Sequence, residues 1–354
     1  MYKIKQLPED FVVKEIPLAD RKPEGKYLYF LMKKKGRNTL DVIQELARRL
    51  HLREKDIGFA GSKDRHAVTE QMISIIGAKK ENIENLKVRD VSLEFQGLGK
   101  VPVSLGDLQE NEFEIVVRNL EGQKISRVDF LENYFGEQRF SLHNAGIGKH
   151  IIKKEFRQAV GLIDDAKING FLKEHLGDFV GALKRLPIRM LRMYINAYQS
   201  YIWNETAARY LDKKGKSMKK VPYSGGEWVF VSNSRDFKDL KIPIVGFGYE
   251  CADEEIRSIT EEIMKEERLS PSDFIIKQIP ELTLEGELRK AVVPVQNLKI
   301  GRRAKDELNP GMMKVKISFA LPKGSYATIA IEKIISHVVS RNYFPSVNKF
   351  VSFY

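Results

Sequence analysis

Strand-forming segments lie at both ends of the 354-residue chain with a long helix-forming stretch between them, so one sheet must be assembled from remote parts of the sequence. Residues 11–16 and 26–31 are rich in β-branched and aromatic side chains. Leu40, Ile43, Leu46, Ala47 and Leu50 then recur at helical spacing behind a cap at Asn38 or Thr39. Residues 71–76, 91–95 and 113–117 read as further strands with hardly any helix between them, which predicts an antiparallel sheet over a doubly wound parallel one. Ser126 is expected to open a helix carrying Val128, Phe130, Leu131, Tyr134 and Phe135. The pattern becomes helical from about residue 150 to 212, with apolar periodicity at 151–163 and 190–210, and an acidic helix follows near 253–268. Strands return at 313–321, and a closing helix bears Ile329, Ile334, Ile335 and Val338. The fold class is α+β: a mostly antiparallel mixed sheet built from both ends of the chain, interrupted by a helix-rich insertion.

The chain is long for a single compact domain, which agrees with two cores or one interrupted core. Its net charge of +12 is unevenly spread. Residues 145–221 hold 16 Lys and Arg against 7 Asp and Glu, residues 250–287 hold 4 against 12, and residues 288–323 hold 9 against 2. The two basic stretches suit a phosphate-binding surface, and they equally suit the solvated faces of ordinary helices. With Cys251 as the one cysteine, no internal disulfide can form, and a reducing cytoplasm is expected. No leader-like or membrane-length apolar run occurs, so no membrane association is expected. The six histidines are scattered, without metal-ligand spacing, and no dinucleotide fingerprint occurs; neither a metal nor a cofactor is expected.

The segment from Gly58 to Gln71 concentrates two glycines, Lys63, Asp64, Arg65 and His66 just ahead of a strand. The spacing of Gly58 and Gly61 fails the phosphate-loop pattern. What remains is a carboxylate among cationic groups, suited to act as a nucleophile or base rather than a proton donor. Taken alone, Asp64 fits a surface ion pair as well as it fits catalysis. Aromatic residues in polar surroundings at 133–140, 198–203 and 319–326 could stack on unpaired bases. Those at 198–203 are expected to pack in a core, because at least one face of that helix must be buried.

Several segments together resemble the TruD family of pseudouridine synthases, in its archaeal-like form. Lys5 followed by Pro8-Glu-Asp-Phe11 resembles the family's opening motif, and Gly61-Ser-Lys-Asp-Arg-His-Ala-Val-Thr-Glu-Gln71 its most distinctive signature. Asn111-Glu-Phe113, with Ile115 and Arg118, resembles the active-site strand; residues 133–140 and 319–328 resemble two later motifs. Ser141, and Ile244 to Gly246, depart from the family pattern, where glycine and Leu-Pro-Gly are common. The resemblance implies an isomerase (an intramolecular transferase) that converts uridine to pseudouridine in transfer RNA at position 13. It implies no cofactor and no obligate protein partner. Asp64 is the implied catalytic residue, attacking C1′ or removing a ribose proton. Lys63 and Lys5 are expected to hold the carboxylate or contact a phosphate. Asn111 is expected to orient Asp64 by hydrogen bonding, Phe113 to stack on the uracil and Phe319 to close the pocket. Arg65, Arg139, Lys153, Lys154, Arg302 and Arg303 are the RNA-contact candidates. Residues 1–150 and 292–354 are expected to form a discontinuous catalytic domain, with 151–291 as the insertion. The alternatives are a synthase for another RNA and a non-catalytic RNA-binding protein. The Lys63-Asp64 pair with Asn111 and Phe113 speaks against the binder, since a carboxylate facing phosphates would repel them.

Overall fold

A computed structural model describes residues 1–18, 24–140 and 143–335; Ser141, His337 and Val338 lie outside the described residues. The N-terminal part runs β1 (Phe11–Pro17), β2 (Tyr27–Lys35), α1 (Thr39–Arg49), β3 (Ile57–Phe59), β4 (Val68–Ile75), α2 (Lys80–Glu84), β5 (Val91–Gly99), β6 (Leu108–Leu120) and β7 (Phe130–Glu132). The middle holds α3 (Asn144–Ile152), α4 (Phe156–Gly161), α5 (Ala166–Glu174), α6 (Phe179–Leu183) and α7 (Ile188–Lys214). It continues through β8 (Ser217–Tyr223), β9 (Gly226–Val231), β10 (Lys241–Ile244) and α8 (Glu254–Glu266). The last part comprises β11 (Glu287–Lys290), β12 (Val292–Pro294), β13 (Gln296–Ile300), β14 (Ala304–Lys305), β15 (Met313–Pro322) and α9 (Ala327–Ile334). Among the described residues no helix is long and apolar enough to cross a membrane.

The main sheet runs β13-β15-β6-β1-β4-β2-β5, with β14 on β15 and β3 on β4. All its pairs are antiparallel except β1 with β4. The late strand β15 pairs along β6, so the sheet is indeed built from both ends of the chain.

Register decides which side chains share a face. Val13, Phe113 and Phe319 lie directly opposite one another across three strands, as do Glu15, Asn111 and Leu321. On the neighbouring strands Thr69 faces both Val13 and Lys34. All these residues therefore point to one face. Over β2 and β4 that face is covered by α1, whose Val42, Ile43 and Leu46 pack on Phe30, Met32 and Ile73. Over β6 and β15 it is covered by α9 and by Trp203, Trp228 and Phe230 from α7 and β9. The loop bearing Asp64 lies against the start of α1, where Lys63 N donates to Thr39 Oγ1.

The helix expected from Ser126 does not form: residues 130–132 are a strand paired antiparallel to β12. Tertiary pairing wins there, because Asn133 N donates to Ala291 O and the Tyr134 hydroxyl bonds Val229, fixing an extended segment that buries Leu131, Tyr134 and Phe135. The aromatic residues of α7 are core as expected, with Tyr198 and Trp203 buried.

Candidate active site

Asp64 sits in the irregular loop between β3 and β4. Three side chains, Thr39, Gln71 and Lys34, hold that loop. Thr39 Oγ1, at the start of α1, accepts from Lys63 N at 3.0 Å and bonds Gln71 Oε1 at 3.1 Å; Gln71 Nε2 donates to Gly61 O at 2.9 Å. Lys34, 1% exposed, donates from Nζ to the carbonyls of Arg37 (2.7 Å), Asp64 (2.9 Å) and Lys63 (3.3 Å). Burial pushes the Lys34 ammonium down to about 8; the charge of Asp64 opposes that shift and Lys63 adds to it. The two glycines of the segment differ in purpose. A Cβ on Gly58 would lie 2.3 Å from Val103 O, so that glycine admits the protein's own backbone, whereas Gly61 has nothing within 4 Å of the same position.

Lys5, not Lys63, pairs with Asp64: Lys5 Nζ donates to Asp64 Oδ2 at 2.8 Å, both side chains being about one-quarter exposed. Lys63 turns inward to the fully buried Glu15, whose Oε1 also accepts from Met72 N at 3.2 Å. The physical reason is burial. Glu15 projects from the covered face of β1 and, dry and charged, needs a cation within reach.

Lys5 reaches the site from an arm in which it adopts the left-handed backbone region, φ 60°, and its ammonium lies 4.1 Å from the centroid of the Phe11 ring. The arm is pinned by a backbone pair between Lys3 and Arg118 (2.9 and 2.8 Å) and by Lys3 Nζ and Gln6 Oε1 on Asn309. Phe11, Phe113 and Phe319 form a continuous aromatic floor beside Asp64, with centroids 6.2 and 5.5 Å apart.

Several expected roles change. Asn111 makes no hydrogen bond to Asp64; its register places it opposite Glu15 and Leu321, and its buried Oδ1 has no donor among the described residues. Phe113 and Phe319 are mostly buried in the floor rather than free-standing. Lys153 donates to Glu267 O (3.4 Å), Lys154 pairs with Asp273 (3.6 Å) and Arg303 donates to Gln123 O, so these three candidates bind their own chain. For Lys153 and Lys154 the cause is that the acidic segment from α8 to Asp273 packs on the basic stretch, where Lys149 also pairs with Glu267, Arg209 with Glu266, and Lys213 and Lys214 with Glu255. Arg65 and Arg302 are exposed, and Arg139 lines a cleft beside the site. Lys34 and Glu15 were not singled out from the sequence. Their one signal is the period of two, since Phe30, Met32, Lys34 and Phe11, Val13, Glu15 each place a charge at the end of an inward-facing row.

A family model for tRNA pseudouridine synthase D (TruD) matches residues 2–167, 167–241 and 231–334. The chain is 32% identical to tRNA pseudouridine synthase D of Aquifex aeolicus, covering 94% of this chain and 97% of that protein. It is 31% identical to a probable tRNA pseudouridine synthase D of Thermococcus onnurineus, covering 94% of each. A crystal structure assigned to tRNA pseudouridine synthase D (TruD) of Methanosarcina mazei superposes with a TM-score of 0.68 at 27% identity, over 94% of this chain and 93% of that one.

Proposed function

Because the chain belongs to the TruD family of tRNA pseudouridine synthases, we propose that it isomerises a uridine of transfer RNA, at position 13, with Asp64 as the catalytic carboxylate. The observation that carries this reading is a carboxylate, partly open to solvent and paired to a Lys5 that stacks on the Phe11, Phe113 and Phe319 floor. The reaction breaks the ribose C1′–N1 bond, turns the uracil, and joins C1′ to C5; a proton leaves C5 and one is gained at N1. Asp64 acts on the ribose, at C1′ or on a ribose proton. A uridine in folded RNA hides that sugar, so the nucleotide must be extruded; the Phe11, Phe113 and Phe319 rings are buried and support the site from beneath, Phe113 being the least covered of the three. We assign residues 1–150 and 292–354 to the catalytic body and 151–291 to the insertion, and we infer that the protein works in the cytoplasm on its tRNA without another protein. Incubation with unmodified transfer RNA, followed by chemical mapping of pseudouridine, tests the activity. A modification at another position would overturn the assignment to 13, and none at all would overturn the reaction.

Lys5 has the role of holding Asp64 rather than a phosphate. Lys5→Met is expected to lower kcat on the order of 10²-fold, the scale for one lost preorganised charged hydrogen bond, while RNA affinity and its salt dependence stay unchanged. A shallower salt slope would instead mark Lys5 as a phosphate contact.

Lys34 predicts a pH signature. Below about 8 its ammonium offers three N–H donors to three carbonyls; as the pH rises through about 8 one donor is lost, and the loop carrying Asp64 loosens. Activity should therefore fall with an apparent pKa near 8. Stability should move the other way between about 8 and 10.5, because there the unfolded chain binds the proton that folded Lys34 has released. Lys34→Arg stays charged and should erase the alkaline limb in a kcat/KM profile. A limb that persists in that variant belongs to another group.

A further inference from the structure

Beside the Asp64 site lies a second cleft of about 470 Å³, bounded by α7, by residues 284–289 leading into β11, and by the loop after β15. We propose that this cleft is a second base pocket, built to take an unpaired guanine of the same RNA strand; the proposal rests on the reading of the chain as an RNA-modifying enzyme.

Its floor holds two unpartnered groups that can donate. Arg139 Nε and Ser325 Oγ are both buried and have no hydrogen-bond partner among the described residues. Such donors favour a ligand that brings acceptor atoms. Arg289 frames the floor and is not itself free: its Nη2 donates to Asn133 O (2.9 Å), Asn133 Oδ1 (2.8 Å) and Gly324 O (2.9 Å), and its guanidinium lies 4.2 Å from the Phe135 ring centroid. This clamp fixes the loop that presents Ser325 and Tyr326. Tyr326 stands edge-on to Phe135 at 6.1 Å and closes over Gly136, where a Cβ would lie 2.9 Å from its ring, so the wall is flat and aromatic.

The rim is opposite in character. Glu285, bridged to Phe247 just ahead of β11, and Glu287, the first residue of β11, both line the cleft and are exposed carboxylates that can only accept. A phosphate would meet the floor donors well and be repelled by this rim. A planar base suits both. Of the four bases, guanine carries two acceptors, O6 and N7, on one edge, matched to Arg139 and Ser325. It carries two adjacent donors, N1–H and the N2 amine, on the next edge, matched to a carboxylate. Adenine lacks the paired donors, and the pyrimidines lack N7.

The cleft and the Asp64 site are neighbours. Phe319 and Ser325 are six residues apart, which limits their Cα separation to about 20 Å. Lys323 Nζ donates to Gly106 O (3.1 Å), and Gly106 N donates to Ala60 O (2.9 Å), tying the loop to the segment ahead of Asp64. A few nucleotides span that distance.

The experiment measures equilibrium binding of unmodified transfer RNA to the full-length Asp64→Asn protein. Unpaired guanosines near the target uridine are replaced singly by inosine, which lacks the N2 amine, or by 7-deazaguanosine, which lacks N7. At one position each analogue should weaken binding roughly tenfold. The inosine penalty should vanish in the Glu285→Gln, Glu287→Gln double variant, and the 7-deaza penalty should shrink in Ser325→Ala, a change too small to endanger the fold, and in Arg139→Gln. The proposal is overturned if no unpaired guanosine is sensitive. It is also overturned if the variants weaken native and analogue RNA equally, the pattern of a phosphate contact. Binding is read without turnover, so a failure of the wild-type protein to form pseudouridine would sink the functional reading and leave this result to stand or fall separately.

Discussion

Asp64→Asn protein is expected to bind unmodified transfer RNA as the wild type does and to lose turnover by on the order of 10⁴-fold, the scale for deleting a central catalytic group. The substitution keeps the shape of the side chain and leaves an oxygen for Lys5, now 2.8 Å from Asp64 Oδ2, so the arm and loop should stay in place. Thr39, Gln71 and Lys34 hold the loop through backbone atoms and are untouched. Both partners of the Lys5–Asp64 pair are partly solvated, and its loss should change stability by no more than about 1 kcal/mol. Only the charge, and with it the ability to attack C1′ or take a ribose proton, disappears. Single-turnover pseudouridine formation beside a binding isotherm separates the two effects. Retention of most activity would remove Asp64 from the mechanism, whereas parallel loss of binding would make it a contact residue.

The largest stability effect is expected from Arg118→Met. Arg118 is 4% exposed and meets three carboxylates: Asp10 at 2.8 Å, Asp306 at 3.0 Å and Glu307 at 3.1 Å. It joins the N-terminal arm, the end of β6 and the returning C-terminal segment. Removing the guanidinium leaves Asp10 and Asp306 buried without their cation, a loss on the order of 3–5 kcal/mol in a denaturant titration. Activity should fall beyond what stability explains, because the same knot pins the arm that delivers Lys5. Acid should narrow the difference. Burial opposes ionisation of Asp306, yet hydrogen bonds from Asn119 N, the Asn309 amide, Leu308 N and Arg118 outweigh it and hold this carboxyl well below its usual range. That contribution is fully present above about pH 4 and is lost as pH falls toward the depressed folded value, so wild type and variant should converge in stability below about pH 4. A gap that stays constant down to pH 2 would show that packing, not charge, explains the loss.

Much of the frame was legible in the chain. Strand runs at both ends, the helical middle and the capped α1 follow from local periodicity, and the clustering of charge around Asp64 with the ordered motifs pointed to the loop that became the site. Local patterns miss what depends on partners. Residues 126–135 carry a helical spacing, and yet 130–132 form a strand, because β12, more than 150 residues later, supplies the hydrogen bonds. The first basic stretch suited a phosphate-binding surface or a solvated face from sequence, and the acidic stretch neutralises it where α8 packs on α3 and α7.

The same division holds at the candidate active centre. Sequence alone determined that a carboxylate would sit in a short loop ahead of a strand, since those residues and their order are local facts. Only the tertiary structure decided which cation serves it. Lys63 adjoins Asp64 in the chain, but Glu15 lies dry on the covered sheet face and takes Lys63, while Lys5 arrives across the fold from an arm held by Arg118. A buried charge has no solvent to satisfy it, and so burial, not adjacency, chose the partners.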